Sequence, residues 1–241
     1  MTGYNDILLI LCQLFIVFHP TSADSILTDL SNKALTTVPS SEIANDTTDL
    51  NLNNNKLQNI TEDSLSHLHQ LEKLFVSYNE MTSVGDIQDV GDTLLYLQLS
   101  GNHLNNIQNG SFDGLDNLEF LVLSDNHLHQ MPDMSDIGDT LLELNLNDNP
   151  DMVDPDDGQM LHLVTLLKLF MNRCGLTRLP DLSACQDVLQ ELHISKNPGL
   201  ISTAARQQRR ILRGRALGHL HVTGNCPGWP KRSRSPGAIR R

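Results

Sequence analysis

Aromatic residues are scarce, making up 4% of 241 residues with a single tryptophan, which is low for an enzyme that fills one large compact core. Beyond the first twenty residues there is no long apolar run. No later segment approaches the roughly 18–20 consecutive apolar residues of a membrane helix, so no span is expected after the N-terminal stretch. Basic residues are nearly missing from residues 1–200, which hold 7 of the 17 Lys and Arg and all 29 Asp and Glu. The other 10 basic residues lie in 201–241, where there is no acid, so the formal charge of −12 is the difference between two opposite parts. Catalytic signatures are also missing. There is no Gly-rich phosphate loop, no Ser or Cys nucleophile in a recognisable local motif, and no metal-ligand cluster of the usual spacing. No enzyme activity, cofactor or metal is therefore expected.

What is present begins with an apolar run from Ile7 to Phe18, broken only by Gln13 and followed by His19-Pro20 and Thr21-Ser22-Ala23. This pattern predicts a signal peptide over residues 1–23, although its first residues carry no Lys or Arg and include Asp6. The mature chain is then secreted, and nucleic acid has little place among its partners. Three sequons, at Asn45, Asn59 and Asn109, are expected glycosylation sites of an exported protein. Of the 4 cysteines, Cys12 leaves with the leader, so Cys174, Cys185 and Cys226 form an odd set with one thiol left over. A Cys174–Cys185 disulfide and two buried free thiols both fit the sequence.

Aligned against itself, the chain repeats the string Leu-x-x-Leu-x-Leu-x-x-Asn-x-Leu-x-x-Ile. The clearest copies are Leu94-Leu97-Leu99-Asn102-Leu104-Ile107 and Leu118-Leu121-Leu123-Asn126-Leu128-Met131. Other copies start at Thr47, Leu71, Leu141, Leu166 and Leu189, with starts spaced 24, 23, 24, 23, 25 and 23 residues apart. Such regularity marks a solenoid in which each unit buries its apolar face only against its neighbours. The Leu-x-Leu pair predicts a short strand with its leucines inward. The Asn that follows turns inward to bond the backbone where the chain bends away. Asn55, Asn79, Asn102, Asn126, Asn149 and Asn197 are thus predicted to stack as a structural ladder, interrupted once by Cys174.

The string resembles the signature of extracellular leucine-rich repeat proteins, and the resemblance covers residues 25 to 200. It implies an α/β fold: a right-handed leucine-rich repeat solenoid, a horseshoe with one short parallel strand per repeat on its concave face. Residues 24–46 read as a divergent N-terminal repeat or cap, and 47–200 as about seven repeats. Leu30 stands where the family's N-terminal cap has its last cysteine, and the C-terminal cap expected after Asn197-Pro198 does not follow. Family members, among them matrix proteoglycan cores, receptor ectodomains and adhesion proteins, bind proteins or glycans. The resemblance accordingly implies a recognition module with an extracellular protein or glycan partner, and says nothing of oligomeric state. Its alternatives are a leucine-rich repeat inhibitor of an extracellular enzyme, or a fragment of a receptor ectodomain.

Counting the first Leu of each repeat as place one, places two, three, five, seven and eight should face out from the concave sheet. Phe75, Tyr78, Tyr96, Phe120 and Phe170 fall there, with Val122 beside them, and these six residues are the predicted ligand-binding surface. Asp49, Glu72, Lys73, Glu119, Glu143 and Lys168 surround them. His103 and His127 should share a column and are read as surface residues. The run Asp148, Asp151, Asp154, Asp156, Asp157 misses the loop spacing of an EF-hand, with Val153 where the first acidic ligand belongs, and reads as a solvated acidic bulge. For the basic residues 201–241 three readings stand: a polyanion-binding arm, a disordered tail attracted to the acidic solenoid, or a product of gene prediction replacing the native cap; a disordered basic tail is the one expected.

Overall fold

The computed structural model describes residues 25–200 except 62 and 157, together with the strand His221–Thr223. Nine three-residue strands form one parallel sheet in sequence order: β1 (Leu27–Asp29), β2 (Asp49–Asn51), β3 (Lys73–Phe75), β4 (Tyr96–Gln98), β5 (Phe120–Val122), β6 (Glu143–Asn145), β7 (Lys168–Phe170), β8 (Glu191–His193) and β9 (His221–Thr223). The last strand lies in the segment expected to be a disordered tail; the rest of that segment and the predicted signal peptide fall outside the described residues. Between strands the chain crosses the convex side in turns, with short 3-10 helices at Ser40–Glu42 and Gln88–Val90 and no α-helix among the described residues.

Register follows from the repeat. Leu50, Leu74, Leu97, Leu121, Leu144, Leu169 and Leu192 are direct neighbours across β2 to β8, and all are buried. Two places on, Leu52, Val76, Leu99, Leu123, Leu146, Met171 and Ile194 make a second buried column. Phe112, Leu115 and Ile137 close the core from the convex side. A three-residue strand has almost no stability of its own, so the sheet exists because each turn continues the apolar columns of the last.

Place eight leaves the strand through the left-handed region in every repeat: Asn32, Asn54, Tyr78, Gly101, Asp125, Asp148, Arg173 and Lys196 have φ between 54 and 64°. That turn swings the following Asn back inward. Asn, Asp and Gly suit it, whereas Tyr78, Arg173 and Lys196 hold it at some cost. Gly101 is required twice over, since a Cβ there would also come within 2.5 Å of the ring of Tyr78.

The inward Asn side chains form the ladder. Nδ2 of Asn102 donates to the carbonyls of Val76 and Leu99, both at 3.0 Å, while its Oδ1 accepts from the Met81 N–H at 3.1 Å. Asn55, Asn79, Asn126, Asn149 and Asn197 repeat the pattern. At Cys174 the thiol donates to the Leu146 carbonyl at 3.0 Å, which replaces one donor and no acceptor. Cys174 and Cys185 are both buried free thiols, the second of the two states left open above. Burial pushes the Cys174 thiol up to about 12 and that of Cys185 up to about 11, so both stay protonated at neutral pH.

Candidate functional site: the concave sheet

On the concave surface two columns of side chains run across the strands. Place three carries Leu27, Asp49, Lys73, Tyr96, Phe120, Glu143, Lys168 and Glu191; place five carries Asp29, Asn51, Phe75, Gln98, Val122, Asn145, Phe170 and His193. Strands in a sheet lie about 4.8 Å apart, so large outward side chains cover one another. The rings of Phe75 and Tyr96 pack at 5.3 Å and those of Tyr96 and Phe120 stack at 6.0 Å, giving one aromatic band over β3 to β5.

Two of the expected exposures need correction. Phe75 and Val122 are only 8% exposed, Phe75 packed against the Tyr96 ring and both flanking the buried Gln98 in register, while Tyr96, Phe120, Tyr78 and Phe170 are half-buried. Phe170 does not join the band. It sits two strands beyond Phe120 and stacks instead on His193 at 4.6 Å. Tyr78 lies at the turn, over Gly101.

Three features escaped the sequence reading. Leu95, Leu142 and Leu167, at place two, are half-buried on the same side and widen the apolar band toward the strand entrances. Their signal was there, since apolar residues stand at this outward place in several repeats. Place seven carries a second ladder, in which Asn53 Oδ1 accepts from the Ser77 N–H at 2.6 Å, and Asn147 and Asn172 accept from the next repeat at 2.8 and 2.6 Å. The third is the burial of Glu143, 6% exposed in the place-three column. Only stacked neighbours bury it, so no local pattern announces it.

The band is framed by charge. Toward the N-terminus Lys73 bonds Asp49 Oδ2 at 3.3 Å, and Ser25 donates to the same oxygen at 2.9 Å. On the other side Lys168 is shared by Glu143 at 3.6 Å and Glu191 at 3.9 Å, and His193 lies 3.2 Å from Glu191. Burial raises the Glu143 carboxyl above the usual carboxylate value, and Lys168 only partly offsets it.

His103 and His127 stack at 6.2 Å, both exposed. No group of three or more His, Cys, Asp or Glu suited to a metal ion occurs among the described residues, and no helix there is long and apolar enough to cross a membrane. The acidic bulge is not simply solvated. Asp148 pairs with Arg173, Asp156 accepts from Gly158 and Gln159, and Asp154 accepts from the Thr177 hydroxyl and from the backbone N–H groups of Thr177 and Arg178 at 2.7 and 3.1 Å; Asp157 falls outside the described residues.

Burial pulls the Asp154 carboxyl upward, but the bonds from Thr177 and Arg178 outweigh it and the net shift is downward. A carboxyl lowered in the folded state stabilises above its unfolded pKa, about 3.9, and that contribution is lost as pH falls through the folded value. Asp154→Asn is therefore expected to lower the Tm at pH 7 and to match the parent near pH 2, in paired melts at the two pH values. An equal gap at both would show that the charge is irrelevant.

The sequence model of the family described as "Leucine rich repeat" matches residues 28–86 and 88–128, the stretch that carries β1 to β5 and the aromatic band. The chain carries leucine-rich repeats. Its solenoid is similar to the functional domain of InlJ from Listeria monocytogenes, a structure described as including a cysteine ladder, with a TM-score of 0.55 and 23% identity. The match covers 72% of this chain and 37% of that one, so the leucine-rich repeat protein spans just over a third of its neighbour's length and shares its fold. In this chain one ladder place, Cys174, holds a thiol. No curated protein matches the sequence.

Proposed function

We propose that this leucine-rich repeat protein is a secreted recognition module that binds an extracellular protein on its concave sheet, around Tyr96 and Phe120. The observation that carries this reading is the aromatic band: three rings in a row over adjacent strands of an open sheet, Phe75 against Tyr96 and Tyr96 against Phe120, widened by Leu95 and framed by ion pairs. Such a patch is what an interface centre looks like, an apolar core with a charged rim. A shallow sheet made of three-residue strands also suits contact with a large partner better than chemistry that must exclude water.

Export is supported by the leader-like residues 1–23 and by the exposure of Asn45, Asn59 and Asn109, none of which lies in a strand. Glycans on these residues would leave the concave sheet uncovered. The test is capture of extracellular protein by the full chain and by a Tyr96→Ser/Phe120→Ser variant whose fold is checked by circular dichroism. Phe75 is left in place because it is part of the packing. The variant is expected to lose capture of the main partner by more than tenfold, as removal of two central anchors worth about 1–2 kcal/mol each implies. Undiminished capture by a folded variant would remove the concave sheet from the reading.

A further inference from the structure

The geometry points to an arginine side chain, presented by the protein partner, as the group that the concave sheet reads between Phe120 and Glu143. This deepens the function proposed above and rests on it. Phe120 and Glu143 are register neighbours on β5 and β6, and Tyr96 stacks on the far side of the same ring. A flat aromatic platform thus ends at a carboxylate.

That carboxylate is incompletely neutralised. Oε2 of Glu143 is buried without a hydrogen-bond partner, and Lys168 Nζ, at 3.6 Å, is divided between it and Glu191. Asp49, the buried acid in the same column on β2, also leaves one oxygen, Oδ1, without a hydrogen-bond partner, but its Oδ2 takes bonds from both Ser25 and Lys73. A buried carboxylate short of donors gains from an incoming cation, and the sign of the surroundings favours one. Residues 74–167 contain 17 Asp and Glu and no Lys or Arg.

Among cations, guanidinium fits best. Its plane lies on an aromatic face while its edge donates in parallel to a carboxylate, whereas an ammonium holds its water and lacks the flat face. Proteins are what display such groups on a rigid frame. The half-buried Leu95 and Leu142, immediately before the strands that flank β5, supply apolar surface for the arginine stem and its neighbours.

The test is an NMR titration of the full, 15N-labelled chain with a capped Ala-Arg-Ala peptide, with citrulline and lysine versions alongside. Citrulline keeps shape and removes charge. Expected are shifts centred on Tyr96, Phe120 and Glu143 with the arginine peptide, weaker effects with lysine and none with citrulline. Affinity should fall about tenfold in Glu143→Gln, the change for one charge-assisted bond. Should Glu143→Gln misfold, Phe120→Leu removes the platform while keeping apolar bulk and should weaken binding severalfold.

Equal binding of the citrulline peptide overturns the proposal, as do shifts confined to the acidic convex turns 86–92, 113–116 and 133–139. So does a silent titration in which 0.5 M salt alone moves Tyr96 and Phe120, since the chain's own arginines beyond residue 200 would then be the occupant. If the Tyr96→Ser/Phe120→Ser variant loses its extracellular partner while arginine and citrulline peptides bind alike, the arginine reading falls and the concave site stands. If the arginine peptide binds as stated but that variant keeps its partner, the arginine subsite stands and the proposed function falls.

Discussion

Asn126→Ala should lower the unfolding free energy by about 3 kcal/mol, the sum of one buried N–H left bare, at roughly 1–3 kcal/mol, and the weakened bonds around it. The reasoning lies in how the ladder shares its acceptors. Asn126 Nδ2 donates to the carbonyls of Leu99 and Leu123, at 3.0 and 3.1 Å, but Asn102 also bonds Leu99 and Asn149 also bonds Leu123. Both carbonyls therefore keep a partner when Asn126 is lost. The Leu104 N–H does not, because its acceptor in the ladder is Asn126 Oδ1 at 3.1 Å. Urea denaturation of the full chain, with the slope unchanged, measures the loss; a change below about 1 kcal/mol would mean that water replaces the ladder. Asn126→Asp should be at least as harmful, since it removes the donors and buries a charge.

Leu121→Ala, on the central column of β5, should cost about 2–5 kcal/mol, and its neighbour Phe120→Ser distinctly less. Leu121 is fully buried between Leu97 and Leu144, inside a core closed on all sides, so truncation leaves a cavity that neighbouring repeats cannot collapse into. Phe120 is the larger side chain but stands half-buried on the open face, and water can refill its place. The two variants differ by one position on one strand, so their contrast measures which face is core. If Phe120→Ser costs as much as Leu121→Ala, the aromatic band is a second core and its value as a docking surface falls with it.

Much of this molecule was legible because a repeat states each rule several times. The leucine spacing predicted every strand from β2 to β8, since a side-chain alternation of two residues within a period of 23–25 leaves only one register that buries all the leucines. The inward Asn followed from the same register. The first strand was legible only as a resemblance near Asp29, and β9 was not foreseen, although Leu217-x-x-Leu220-x-Val222-x-x-Asn225 repeats the leading part of the string through His221–Thr223, which pairs with β8.

The candidate site was half legible. Alternation placed Tyr96 and Phe120 on the concave face, but outward is not the same as exposed. Phe75 and Val122 are covered because strands at sheet spacing let neighbouring rings meet, a matter of side-chain size across repeats and not of sequence within one. The apolar place-two leucines were visible in the chain at an outward place but were not singled out. The acids of the 148–157 bulge looked like free charge until the fold brought Thr177, Arg178 and Arg173 to them from the next repeat.

By itself, then, the order of leucines and asparagines determined the sheet, its register, its ladder and the side that can face a partner, because those depend on periodicity alone. Only the stacked structure decided which outward side chains see water, which thiols stay unpaired, and that Glu143 is buried beside Phe120 with too few donors. Those properties belong to columns that cross repeats some 23 residues apart, where burial and charge are set by the neighbours on either side.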